Sequence, residues 1–119
     1  MAGKSYRDLL AWQKAMLFVE HVYRLTSSFP SEERYGLTSQ VRRAAVSVPS
    51  NIAEGQGRRS DKELARFLGI AQGSLCEVET QLLIGQRLDY IDEGQITEIL
   101  SIGGEVGRLV GGLQKSLRI

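Results

Sequence analysis

Residues 42–59 read RRAAVSVPSNIAEGQGRR, and the proline at position 49 decides how this chain folds. If Pro49 opened a new helix, Val48 would have to cap it, and valine is a poor N-cap. The apolar phase instead continues unshifted. At about 100° per residue, Leu37, Val41, Ala44, Ala45, Val48 and Ile52 share one face. The pattern predicts one kinked helix from roughly Leu37 to Gly55, in which Pro49 displaces the carbonyl of Ala45 at a cost of about 3 kcal/mol. Beside the apolar face runs a narrow stripe of Gln40, Arg43, Ser47, Asn51, Glu54 and Arg58. Ser47 and Asn51 are short enough to satisfy backbone groups near the kink. A plain solvated face would carry more Lys and Glu and fewer amides and hydroxyls. The stripe is therefore expected to order contacts between subunits, with Arg43 pairing Glu54 of an adjoining copy.

Working outward, three more helical segments emerge. Leu9, Trp12, Met16, Val19 and Tyr23 step by three and four, which predicts the inward seam of a first helix with Trp12 as a core anchor. SSFPSEERYG then turns the chain, Pro30 opposing continuation. After the second helix, Gly55 and Gly57 can adopt a left-handed C-terminal conformation, and Ser60-Asp-Lys-Glu63 forms a capping box for a third. That third helix aligns Leu64, Phe67, Leu68, Ala71, Leu75, Val78 and Leu82. Ile70, Ile84 and Leu88 lie well off this face, as do Gly69 and Gly73, whose lack of side chain admits another helix. A second buried side follows. The fourth helix opens at Asp92 with Gln95 three residues on, and Ile91 and Ile96 form a hydrophobic staple. It continues through Ile99, Leu100, Val106, Val110, Leu113 and Leu117. Its five interior glycines (103, 104, 107, 111, 112) would destabilise an isolated helix by roughly 5 kcal/mol relative to alanine, so close packing must hold it. Short connections imply an all-α, antiparallel up-down four-helix bundle over residues 1–119, with a short N-terminal tail of about 1–6.

The 119 residues are enough for one domain with a modest core. Hydrophobic residues are 42% and charged residues 24%, the balance of a soluble globular chain. No run of about 18 apolar residues suggests a membrane span, and MAGKSYRDLL lacks an apolar signal core. The lone Cys76 permits no intrachain disulfide, so a cytoplasmic setting is the simplest expectation. One histidine, His21, and one cysteine cannot build a zinc site of the usual kind, and no Glu-x-x-His pair offers a di-iron site. Neither metal nor cofactor is expected. Cys76 with His21 would be a nucleophile and base only if the fold joined them. Ser47, Asn51 and Glu54 are the best polar constellation for a small-ligand or hydrolytic site, yet they lack an evident acid or nucleophile partner. An enzyme is not expected.

Net charge is +1, unevenly spread. Residues 34–66 carry seven basic groups against three acidic, whereas 67–119 carry four against seven. Arg42, Arg58, Arg59, Lys62 and Arg66 are the candidates for contacting a phosphate backbone, Arg42 pointing away from the polar stripe toward phosphate or solvent. GQGRRS is neither a Walker loop nor a dinucleotide fingerprint, since no strand precedes it. Gln40, Arg43, Ser47, Asn51, Glu54, Gly69 and Gly73 are the candidates for a subunit interface.

Four blocks, LLAWQKA, FPSEERYGLTSQVRRAAVSVPSNIAEGQGRRS, RFLGIAQGSLCEVETQL and VGRLVGGLQKSL, resemble the bacterial four-helix-bundle proteins named after 23S rRNA intervening sequences. The resemblance implies a homo-oligomer, a pentameric barrel of non-enzymatic subunits. Related accessory proteins of diversity-generating retroelements bind a reverse transcriptase and nucleic acid (RNA or DNA) through a basic surface. On the matching positions, Gln40, Arg43, Ser47, Pro49, Asn51, Glu54 and Gly55 fall on the central motif and Arg58 on the basic position after it. Gly73, Ser74 and Glu77 fall on the third-helix motif.

Overall fold

Each helix begins where a side-chain oxygen or a turn can take its first free N–H groups. A computed structural model describes residues 5–117. Ser5 Oγ accepts from Arg7 N and starts a 3-10 turn over Tyr6–Asp8, which leads through Leu9 into α1, Leu10–Thr26. Residues 5 and 6, expected in a loose tail, belong to this turn; residues 1–4 lie outside the described residues. A second 3-10 turn, Ser31–Glu33, precedes α2, Leu37–Gly57. Glu33 Oε1 there accepts from Leu37 N at 3.0 Å, capping α2 from outside the helix. Ser60 caps α3, Asp61–Arg87, accepting from Glu63 N. The reciprocal half of the expected capping box is not formed, because the Glu63 carboxylate turns to Arg66. Asp92 and Gln95 complete a full capping box at the start of α4, Glu93–Lys115. Ile91 and Ile96 are both buried beside it.

The four helices pack as a bundle measuring 45 × 25 × 20 Å. α1 contacts α2, α2 contacts α3, α3 contacts α4 and α4 returns to α1, leaving α1 and α3 diagonal with their backbones out of contact. Among the described residues there is no strand. Phe18, Val22, Val41, Val48, Ile52, Leu68, Val78, Leu82, Val106 and Val110 form the centre of the core. The α2 helix passes through Pro49 without interruption, as its apolar phase requires, and Pro49 itself is buried.

Two readings need correction. The inward face of α1 is Ala11, Ala15, Phe18, Val22 and Thr26, while Met16 and Tyr23 stay 40% and 41% exposed. Leu9, Trp12 and Val19 only flank the core. Side-chain size misleads here: small alanines let helices approach, and the larger residues one helical step round are left at the rim. Gly55 does not turn left-handed, since α2 runs on to Gly57. It is small because α3 crosses it closely: a Cβ there would sit 2.8 Å from Phe67 Cβ and 3.0 Å from Leu64 Cδ1. Two of the α4 glycines, Gly103 and Gly107, serve the same end. A Cβ on Gly103 would meet the Phe18 ring at 3.2 Å, and one on Gly107 would meet Leu75 Cδ2 at 3.2 Å. Gln72 Nε2 uses the gap to donate to the Gly107 carbonyl at 3.0 Å.

Candidate functional site

The polar stripe of α2 faces α3. Ser47 Oγ and Ser74 Oγ share a 2.8 Å hydrogen bond, and Ser74 is buried. Asn51 Nδ2 donates to both the Ser47 carbonyl and the Ser47 hydroxyl, at 2.8 and 2.9 Å. Both amide bonds thus converge on Ser47. Next along the seam, Gln40, Arg43, Ala44 and Ser47 from α2 and Glu77 and Gln81 from α3 line an open groove of about 330 Å³. Gln81 Oε1 is buried there with no hydrogen-bond partner among the described residues. Buried acceptors are nearly always satisfied, so this atom marks a place for a donor such as water.

The remaining two residues of the stripe, Glu54 and Arg58, pair with each other. The Glu54 carboxylate takes Arg58 NH2 at 2.9 Å within its own subunit, so Ser47, Asn51 and Glu54 do not converge on one reacting point. His21 on α1 and the exposed Cys76 on α3 stand on diagonal helices and are not brought together. Among the described residues, no group of three or more His, Cys, Asp or Glu is arranged to hold a metal ion, and no helix is long and apolar enough to cross a membrane.

The basic residues divide into two settings. Arg42 is held at the α1–α2 junction. Its Nε donates to Thr26 Oγ1 at 2.9 Å, its NH2 donates to the Tyr23 carbonyl at 3.1 Å, and its guanidinium lies 4.5 Å from the Tyr23 ring centroid. The Tyr23 carbonyl at the end of α1 also accepts from Ser27 N and Thr26 Oγ1, and the guanidinium adds to that cap while lying against the aromatic face. At the α2–α3 turn, Arg58 and Arg66 flank the Phe67 ring at 5.2 and 4.5 Å. Each also pairs with a carboxylate, Arg58 with Glu54 and Arg66 with Glu63 at 3.2 Å. The hydrogen bond from Arg66, helped by the charges of Arg66, Arg58 and Lys62, holds the Glu63 carboxyl below its ordinary pKa. Arg59 and Lys62 are exposed on the same turn. Exposed pairs of this kind are worth little, roughly 0–1 kcal/mol, so their partners are exchangeable.

Two surfaces remain apolar. On α3, Ile70, Leu83, Ile84 and Leu88 are 41–48% exposed, and a Cβ on Gly69 or Gly73 would meet nothing within 4 Å. The second side of α3, expected to be buried, is exposed. Between α1 and α2, Tyr6, Trp12, Met16, Val19, Val46, Pro49, Ser50 and Ala53 line a groove of about 340 Å³. The α1 stripe assigned to the interior is one wall of it. Gln81 and this groove were the features the sequence reading missed. The first carries no periodic signal, and the second was hidden by placing its stripe inside.

These features define a small α-helical bundle with a polar seam, a basic turn and two uncovered apolar faces. The chain belongs to the 23S rRNA-intervening sequence protein family, whose sequence model matches residues 7–112. A crystal structure of a protein of unknown function from the S23 ribosomal protein family of Bacteroides thetaiotaomicron VPI-5482 superposes with a TM-score of 0.83 at 23% identity, covering 90% of this chain and 96% of that one. That likeness establishes the fold. Among curated proteins, none matches the chain.

Proposed function

We propose that this protein is a non-enzymatic, cytoplasmic scaffold, a homo-oligomer of antiparallel up-down bundles whose basic turn engages nucleic acid or an enzyme that acts on it. The outer face of α3 carries the reading: aliphatic groups beside open glycines form a helix-packing surface with no helix on it. The up-down arrangement is supported by the α2–α3 pairings. Gly55 lies against Leu64 and Phe67, Ser47 against Ser74, and Gln40 shares a groove with Gln81, so positions rise on one helix as they fall on the other. The resemblance to pentameric relatives supports a closed assembly of this order.

Arg58, Arg59, Lys62 and Arg66 supply the surface for phosphates, gathered at one end of the bundle. Arg42 is assigned a structural part instead, since its hydrogen bonds serve the α1–α2 junction. Light scattering at micromolar concentration tests the assembly, and a particle of single-subunit mass would overturn it. Retention on immobilised RNA and single- or double-stranded DNA at about 50 mM salt, with steep release by about 200 mM, tests the basic turn. Lack of retention on every matrix would leave a purely structural oligomer.

A further inference from the structure

The groove on the α2–α3 seam holds opposite charges that the chain does not spend on each other. Arg43 stands on its α2 wall and Glu77 on its α3 wall, both exposed. Among the described residues, neither side chain has a hydrogen-bond or ion-pair partner, whereas Arg58 and Arg66 each find a carboxylate on their own helix. One helical turn further along the groove come Gln40 on α2 and Gln81 on α3. Gln81 brings the buried Oε1 that lacks a donor, a state costly to leave unrelieved. In the other direction the lining stops at Ser47, whose hydroxyl is already tied to Ser74 and Asn51.

Each wall therefore has its own chemistry. Glu77 and Gln81, four residues apart on one face of α3, are acceptors: a carboxylate and an amide oxygen. Arg43 and Gln40, three apart on α2, supply a guanidinium and an amide as donors. We propose that this groove binds a free α-amino acid. Its ammonium lies between the Glu77 carboxylate and Gln81 Oε1, and its carboxylate lies on Arg43 and Gln40. A simple anion, a nucleic-acid phosphate included, would meet Glu77 as well as Arg43, and a simple cation would meet Arg43 as well as Glu77. A zwitterion answers both walls with one molecule and supplies the donor that Gln81 lacks. The volume of about 330 Å³ is at the lower end for small-molecule sites, roughly 300–1,000 Å³, and suits one compact ligand. Ala44 is the one apolar residue of the lining, so a large aliphatic or aromatic side chain gains nothing there and a short or polar one is preferred.

The test is isothermal titration calorimetry on the full chain with glycine, L-serine and L-glutamine, beside L-leucine, acetate and methylammonium. The three amino acids give saturable heat at one site per subunit, and L-leucine binds no more tightly than L-serine. Acetate and methylammonium, each carrying half of the recognised group, bind at least about tenfold more weakly. Gln81→Leu, Arg43→Gln and Glu77→Gln each weaken L-serine binding by about tenfold or more, with helical content checked by circular dichroism. Should Gln81→Leu unfold the chain, the two exposed positions carry the test. No saturable heat from any amino acid up to about 20 mM would overturn the proposal and leave water, or a segment of another chain, as the donor to Gln81. So would acetate or methylammonium binding as tightly as the amino acids, or folded Arg43→Gln and Glu77→Gln chains that bind like wild type. A chain that scatters as an oligomer and binds no amino acid fails this proposal alone; a monomer that binds one fails the assembly reading alone.

Discussion

Replacing Gly55 with alanine tests the claim that the α2–α3 crossing, and not chain flexibility, requires glycine there. The added methyl carbon would lie 2.8 Å from Phe67 Cβ, 3.0 Å from Leu64 Cδ1 and 3.4 Å from the Leu64 carbonyl oxygen. Phe67 Cβ is fixed to the α3 backbone, so relief requires the helices to part. Because that neighbour cannot swing aside, the overpacking cost falls in the upper part of the usual range, about 2–3 kcal/mol, against which alanine recovers about 1 kcal/mol of helix propensity. The net expectation is a loss of about 1–2 kcal/mol, or roughly 3–10 °C in melting temperature for a chain of this size. Two companions calibrate it. Gly103→Ala meets the Phe18 ring at 3.2–3.3 Å, which a few tenths of an ångström would relieve, and is expected close to wild type. Gly112→Ala meets nothing within 4 Å and gains up to about 1 kcal/mol. Guanidinium denaturation followed by circular dichroism gives the three values, at one fixed subunit concentration because association shifts apparent stability. Gly55→Ala matching or exceeding the wild type would refute the packing argument.

Other expectations follow from the same geometry. Arg42→Met removes the Thr26 and Tyr23 hydrogen bonds and the ring contact, and should lower stability by about 1–2 kcal/mol in denaturant titrations while leaving nucleic-acid retention unchanged. Gly73→Ala should raise the stability of the dissociated subunit by up to about 1 kcal/mol yet shift light scattering toward smaller particles, since the methyl group stands on the packing face. The Glu33 carboxylate accepts the Tyr90 hydroxyl at 2.9 Å and raises the phenol pKa above its ordinary 10.0. A raised folded-state pKa gives stabilisation that is complete below the unfolded value and lost as pH climbs through the folded one. The stability gap between wild type and Tyr90→Phe should therefore be constant up to about pH 9 and shrink above pH 10; a gap that widens with alkali would contradict the hydrogen bond.

Much of this could be read from the residues because α2, α3 and α4 each carry strong periodic signals. The apolar run through Pro49 identified one helix, and Asp92 with Gln95 marked the start of α4 to the residue. The failures share a cause, which is that hydropathy weighs side chains by size whereas close packing rewards small ones. On α1 the alanines at 11 and 15 face the core, and the bulkier Trp12 and Met16 lie to one side. Gly55 looked like a helix stop because glycine is a common terminator, and only the nearness of Phe67 gives the other reason for it. Charge was legible as composition but not as pairing. Nothing local foretells that Arg42 reaches back sixteen residues to Thr26, while Arg58 and Arg66 settle on carboxylates one turn away.

The two oxygens of Glu33 answer to different parts of the chain, one to the nearby amide of Leu37 and the other to the phenol of Tyr90, 57 residues on. The first contact is local and can form as soon as α2 starts to wind. The second spans 57 residues, and closing so long a loop is entropically uphill until α2 and α3 have already come together. The carboxylate is therefore a latch that shuts late. Its second bond ties the start of α2 to the end of α3, and deleting only the phenol oxygen, as in Tyr90→Phe, removes that tie without touching the first.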